Sequence, residues 1–153
     1  MQGLENRIPP PIVGMLFAAM MWLISLSVPI IELSDLSRLV SGLAVFFLGI
    51  FFCIAGVVSF RRAKTTVNPL KPESASSLVD SGIYRISRNP MYVGFALILC
   101  AWTVYLSAVL SILGVVGFVL YINKFQIAPE ERALVKLFGS EFTQYQSDVR
   151  RWL

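Results

Sequence analysis

Long uncharged apolar runs alternate with short charged segments along the chain. Residues 12–31 (IVGMLFAAMMWLISLSVPII) and 39–60 (LVSGLAVFFLGIFFCIAGVVSF) contain no charged side chain, and each reaches the roughly 20 residues needed to cross a hydrocarbon core of about 30 Å. A third run, Met91–Ile122, is uncharged over 32 residues and as one helix would measure about 48 Å. That is too long for one upright crossing, so the pattern predicts two short helices, 91–106 and 108–125, joined by a tight turn near Ser107. One long tilted helix is the alternative.

Between the second and third runs, residues 61–90 begin RRAKTTVNPLKPESASSL, which is polar, contains two prolines and shows no helical period. It reads as an irregular connecting loop. After the fourth span a helical period returns: Leu134, Phe138, Phe142, Tyr145 and Val149 fall on one face of a helix at about 129–149. Pro129 at its first position, with Glu130 and Glu131 in the first turn, suits the free N–H groups and positive dipole end of a helix start. The expected architecture is all-α: a polytopic membrane protein of one domain, 1–153, with about four transmembrane helices and an amphipathic C-terminal helix on the cytosolic side.

Composition and charge sharpen this picture. Hydrophobic residues make up 56% of the 153 and charged residues 14%, well below the roughly 25% charged in soluble domains. The first run reads as a span, since it lacks a basic stretch before it, follows Pro9, Pro10 and Pro11 and is followed closely by a second span. Of the 13 basic residues, only Arg38 falls between spans one and two. With four spans all the others share one side, which places the N- and C-termini in the cytoplasm. Membrane orientation thus accounts for the net charge of +4, and no nucleic-acid partner is expected. There is no histidine, which removes the commonest general base and metal ligand together; no metal is expected. Cys53 and Cys100 lie inside predicted spans and read as small apolar groups.

Polar groups at a membrane boundary are costly and therefore mark candidate sites. One cluster, Tyr84, Arg85, Arg88, Asn89 and Tyr92, precedes span three, and a second, Glu130, Glu131 and Arg132, follows span four. A hairpin of spans three and four would bring them together over an apolar groove. Structural explanations compete. Asn89-Pro90 fits a helix N-cap and first-turn proline, Arg and Tyr are common interface anchors, and the glutamates fit a helix start.

Two segments resolve the competition by resemblance. GIYRISRNPMYVG (Gly82–Gly94) and, after the hydrophobic hairpin, EERALVKLFGSEFTQYQSDVRR (Glu130–Arg151) resemble the isoprenylcysteine carboxyl methyltransferase and phospholipid N-methyltransferase group of integral membrane enzymes. The resemblance covers about the last 75 residues and implies S-adenosylmethionine as cofactor, with a hydrophobic or lipid-like methyl acceptor admitted from the bilayer. It aligns Tyr84, Arg88, Pro90 and Tyr92 with the group's G-x-Y and R-H-P-x-Y pattern, Glu130 and Glu131 with its paired acids, and Arg150 with its basic ending. Asn89 stands where the group has histidine; it keeps hydrogen bonding but not charge. The implied cofactor site is Tyr84, Arg88, Asn89, Pro90, Tyr92, Glu130 and Glu131, with Arg88 and Glu131 acting at the chemistry. Arg88 is expected to pair with the cofactor carboxylate, one glutamate to accept from its ribose or amino group, and Glu131 to deprotonate an amine acceptor. Two other readings remain at this stage: an NADPH-dependent membrane reductase of the steroid or isoprenoid type, and a non-catalytic membrane protein that recruits a partner through its C-terminal helix.

Overall fold

A computed structural model describes residue 5, residues 7–64 and residues 76–153. Every regular element among them is helical: α1 (Pro10–Ser25), α2 (Asp35–Arg62), α3 (Pro90–Leu106), α4 (Ile112–Ile122), α5 (Ala128–Phe138) and α6 (Ser140–Asp148). Two helical stretches are long and apolar enough to cross a membrane, Asp35–Arg62 and the continuous run Val109–Phe138, while Pro10–Ser25 and Pro90–Leu106 are shorter apolar helices.

Local chemistry explains where these elements begin and end. The Ser34 hydroxyl accepts from the Ser37 N–H at 3.2 Å, Asp35 occupies the first turn of α2, and Arg61 and Arg62 the last, so charge complements the dipole at both ends. α1 and α3 each start on a proline, whose missing N–H costs nothing in a first turn. The 32-residue apolar run is not one helix. Ser107 adopts a left-handed conformation (φ 53°) that closes α3, and the chain turns back into a short 3-10 segment, Val109–Ser111, before α4.

Several boundaries differ from the sequence expectation. α1 ends at Ser25 rather than 31, and α2 is longer than 39–60 at both ends. The loop expected over 61–90 starts only after Arg62 and contains a 3-10 turn at Gly82–Arg85; its residues 65–75, Lys71 among them, lie outside the described residues. The largest differences are at the C-terminal end. Pro129 does not begin a helix: α4 runs through a π-helical turn, Asn123–Ile127, directly into α5. Within that turn the Ala128 N–H bonds to the Asn123 carbonyl, one residue further back than in an α-helix. The wider turn precedes a residue that has no N–H and whose ring crowds the preceding carbonyls. The expected single helix 129–149 is instead α5 and α6, broken at Gly139 (φ 54°), a backbone conformation that glycine reaches without strain. The apolar stripe nevertheless gathers as read: Phe142 and Tyr145 are buried with Val79 and Tyr84, and Leu134, Phe138 and Val149 pack around them.

The apolar helices approach through glycine. The buried residues of α2 are Gly42, Gly49, Gly56 and Ser59, and its glycines recur every seven residues on the face turned to α3. A Cβ on Gly49 would lie 2.8 Å from the Gly94 carbonyl oxygen, and one on Gly94 would lie 2.6 Å from the Gly49 carbonyl oxygen. Such backbone proximity replaces the hydrophobic driving force that lipid cannot supply. The Cys53 thiol donates to the Met91 carbonyl at 3.6 Å in the same seam. α1 closes the opposite side: Phe17 meets Phe118 edge-on, and Ala18 O accepts from Trp102 Nε1 at 3.1 Å.

Gly94→Val should therefore push α2 from α3 and lower stability by about 1–3 kcal/mol, whereas Gly42→Ala should be tolerated, because its added Cβ meets only Ala101 O at 3.7 Å. Thermal unfolding of the two variants in detergent checks this contrast; equal stabilities would contradict the close crossing.

Candidate functional site

The two polar clusters meet at one end of the bundle, where α3 begins and the π turn passes into α5. Two linked groups form there. In the first, Tyr92 Oη donates to Glu130 Oε1 at 2.5 Å, and Tyr84 lies close enough to interact electrostatically with both. In the second, Glu131 is bridged by two guanidinium groups. Arg88 Nη2 reaches Oε1 at 2.9 Å, and Arg151 donates from Nε to Oε1 at 3.1 Å and from Nη2 to Oε2 at 2.5 Å.

The second group ties the C-terminal tail to the start of α3. Arg88 Nη1 donates to the Gln146 carbonyl at 3.0 Å and to the Val149 carbonyl, and the Arg88 backbone N–H donates to Arg150 O at 2.9 Å. Asn89 does not cap α3 with its side chain. Its Nδ2 instead donates to Arg151 O at 3.0 Å, beside Ser87 Oγ at 3.3 Å. Satisfying tail carbonyls takes only an amide donor, so asparagine serves here without imidazole. Pro90 is fully buried beneath this junction. One residue further along the tail, Trp152 Nε1 donates to Asn123 Oδ1 in the π turn at 3.0 Å.

Electrostatics separate the two glutamates. Glu130 lies past Lys124, beyond the apolar stretch of its helix. Loss of solvent raises its carboxyl to about 8, the Tyr92 hydrogen bond opposes that rise, and the Glu131 charge adds to it. Burial likewise raises the Tyr84 phenol, with Tyr145 and Glu130 adding. The Tyr145 phenol is also raised by burial, against the lowering effect of Arg88, and its Oη donates to the Tyr84 carbonyl at 2.7 Å. The side chains of Arg88 and Glu131 keep only 12% and 14% of their exposure. At that burial the pair holds together through geometry, its own charge-assisted bond and the two that Arg151 adds to Glu131, rather than through long-range attraction.

Outside this junction an open cleft of about 530 Å³ is lined by Ala128, Glu131, Arg132, Val135, Lys136 and Gln146, so Glu131 is reached from solvent on one side. Arg132 itself turns away to Glu5, at 2.6 Å. Among the described residues no three His, Cys, Asp or Glu side chains are grouped to hold a metal ion.

Tyr84, Arg88, Asn89, Pro90, Tyr92, Glu130 and Glu131 therefore lie in or beside the junction, but with unforeseen partners, while Arg85 is exposed. The family-like basic ending was assigned to Arg150, which is exposed, while Arg151 makes the contact with Glu131. α6 stops at Asp148 and Val149 is extended (φ −125°, ψ 136°). Beyond it Arg151 is half-buried and turns onto Glu131, while Arg150 is exposed. Recognising that α6 ends before Val149 would have supplied the signal. Ser87, Asn123, Gln126 and Trp152 were also missed, because none carries charge.

The Glu130 value has a stability consequence with a definite sign. A carboxyl raised from 4.5 to about 8 on folding contributes stability in full below the unfolded value and loses it as pH rises through the folded one. The thermal stability of the protein should thus contain a component that declines between about pH 5 and 8, and Glu130→Gln should flatten it. Parallel stability curves for the two proteins would contradict the assignment.

The sequence profile of the phospholipid methyltransferase family matches residues 37–141, which includes both clusters. A curated uncharacterized protein of Haemophilus influenzae is 52% identical over 63 residues, 41% of this chain and the whole of that protein. A protein-S-isoprenylcysteine O-methyltransferase B of Arabidopsis thaliana is 27% identical over 71% of this chain and 55% of its own length. A probable protein-S-isoprenylcysteine O-methyltransferase of Oryza sativa is 31% identical over 73% of this chain and 59% of its own. The chain thus spans somewhat over half the length of these two plant enzymes. With the profile covering more than half of its residues, and with both polar clusters inside the match, the chain belongs to the phospholipid methyltransferase family.

Proposed function

We propose that the protein is an S-adenosylmethionine-dependent methyltransferase that acts at the membrane on a hydrophobic or lipid-like acceptor, of the isoprenylcysteine-carboxylate or phospholipid-amine kind. The observation that carries this reading is the convergence of Arg88, Glu130, Glu131 and Tyr92 at one end of an apolar bundle, within the segment matched by the family profile.

The residues present suit such a cofactor. A zwitterionic amino acid joined to a ribose and an adenine needs a cation, carboxylate acceptors and an aromatic wall. Arg88 supplies the cation. Its Nε is buried with no partner among the described residues, a donor in reserve where a burial cost would otherwise stand uncompensated. Glu130 and Glu131 supply acceptors for hydroxyl or ammonium groups, and Tyr84, Tyr92, Asn89 and Pro90 the surrounding wall. When bound, the cofactor supplies an activated methyl group on a sulfonium. The protein's share of the reaction is to position the partners and exclude water.

The two carboxylates take different parts in this proposal. Glu131, the group expected from the sequence to deprotonate an amine acceptor, already accepts two bonds at Oε1 and one at Oε2 from Arg88 and Arg151, which suits it to the part of a fixed anchor with one acceptor position left on Oε2. Glu130 meets Tyr92, and its raised carboxyl suits the uptake of a proton from an amine acceptor near neutral pH. A carboxylate acceptor requires no such step. The bilayer itself is the proposed route of the acceptor, since the outer faces of α1 and α2 expose apolar side chains such as Met15, Leu16, Phe47 and Phe51. We place α1, α2, α3 and α4 as four spans with both termini in the cytoplasm, supported by the basic residues gathered at the end that carries the junction.

Calorimetric titration of the detergent-solubilised protein with S-adenosylhomocysteine, and with NADPH in parallel, tests the reading. Saturable binding of the former is expected, weakened at least about tenfold by Arg88→Ala or Glu131→Ala, the scale of a lost charge-assisted hydrogen bond. Binding of NADPH alone, or of neither, would overturn it.

A further inference from the structure

The tail that crosses the junction is held at several separate points. Its main chain is fastened to residues 87–89: Arg150 O accepts from the Arg88 N–H, and Arg151 O accepts from Ser87 Oγ and Asn89 Nδ2. The Trp152 indole packs against the core that contains Tyr92, Phe118 and Ile122 and donates to Asn123. Between these anchors the Arg151 side chain turns back onto α5.

That side chain does something the anchors do not. Glu131 receives three charge-assisted hydrogen bonds from guanidinium groups, and two of them come from Arg151, one on each carboxylate oxygen. A two-point contact sets the rotation of the carboxylate as well as its position, whereas Arg88 touches only Oε1. Arg88 in turn is fastened to the tail through the Gln146 and Val149 carbonyls. Removing Arg151 would leave Glu131 anchored at one oxygen and free to turn.

We infer that Arg151 is a positioning residue of the donor site: its guanidinium fork fixes the Glu131 carboxylate against Arg88, and the C-terminal residues 149–152 thereby form part of the site. The inference rests on the methyltransferase reading for the identity of the ligand, but the Arg151–Glu131 contact stands apart from it.

The test compares the full-length protein with Arg151→Ala, Arg151→Lys and Trp152→Phe by titration with S-adenosylhomocysteine, together with thermal unfolding. Arg151→Ala should bind about tenfold more weakly. Arg151→Lys should recover part of the loss, because one ammonium restores charge but cannot span both oxygens. Trp152→Phe loosens the same tail without touching the fork and should bind more tightly than Arg151→Ala, even where its melting temperature falls as far. Wild-type affinity in Arg151→Ala, or an equal loss in Trp152→Phe, would overturn the inference. If the unaltered protein binds no S-adenosylhomocysteine, the methyltransferase reading fails, and carboxypeptidase digestion of the folded protein decides the remainder. Faster release of the C-terminal residues from Glu131→Gln than from wild type, with the tail sequence unchanged, upholds Arg151 as the group that holds Glu131; equal release overturns it.

Discussion

One carboxylate shared by two guanidinium groups governs the polar end of this protein. Glu131 lies on α5, Arg88 just before α3 and Arg151 on the tail, so a single side chain joins three segments that are distant in sequence. Neighbouring backbone bonds surround this bridge. Arg88 meets the Gln146 and Val149 carbonyls from the same guanidinium that reaches Glu131, and so holds the segment where the tail leaves α6. With one guanidinium removed, the largely buried Glu131 would keep a single cationic partner, and losing both would leave an uncompensated charge.

The bridge is carried by a helix that continues past its apolar stretch. α4, the π turn and α5 make one uninterrupted rod, and the π turn rotates everything beyond it relative to a regular helix. That rotation accompanies a Tyr92–Glu130 contact and an Arg88–Glu131 contact from adjacent residues of one helix. The same turn receives the segment before α1 and the tail after α6, through Gln126 Nε2 on the Ile8 carbonyl at 2.8 Å and through Trp152 on Asn123. Meanwhile the glycine seam of α2 and α3 sets how closely the start of α3, with Arg88 and Asn89, lies beside the apolar helices.

Much of this was legible in the chain. Uncharged runs located the apolar helices, since charge is excluded from hydrocarbon whatever the partners, and the turn at Ser107 followed from the length of the third run. Arg88, Glu130, Glu131 and Tyr92 stood out because polar groups beside such runs need a reason to be there. Other features depended on tertiary context. Pro129 looked like a helix start because a proline's local preference is the same at a first turn and behind a π turn, and only the hydrogen-bond register distinguishes them. Asn89 looked like a cap, but its donor is worth more on the buried Arg151 carbonyl than on its own helix. Arg150 and Arg151 are chemically identical neighbours, and one unforeseen break, at Gly139, together with the end of α6, decided which faced inward.

The measurement that bears most directly on this account is a crystal structure of the protein grown in lipid with S-adenosylhomocysteine. The account predicts the ligand bounded by the start of α3, by Glu130 and Glu131 and by the C-terminal tail, with Arg151 still on Glu131. A ligand bound elsewhere on the bundle, or a tail detached from Glu131 while the ligand occupies the junction, would contradict it.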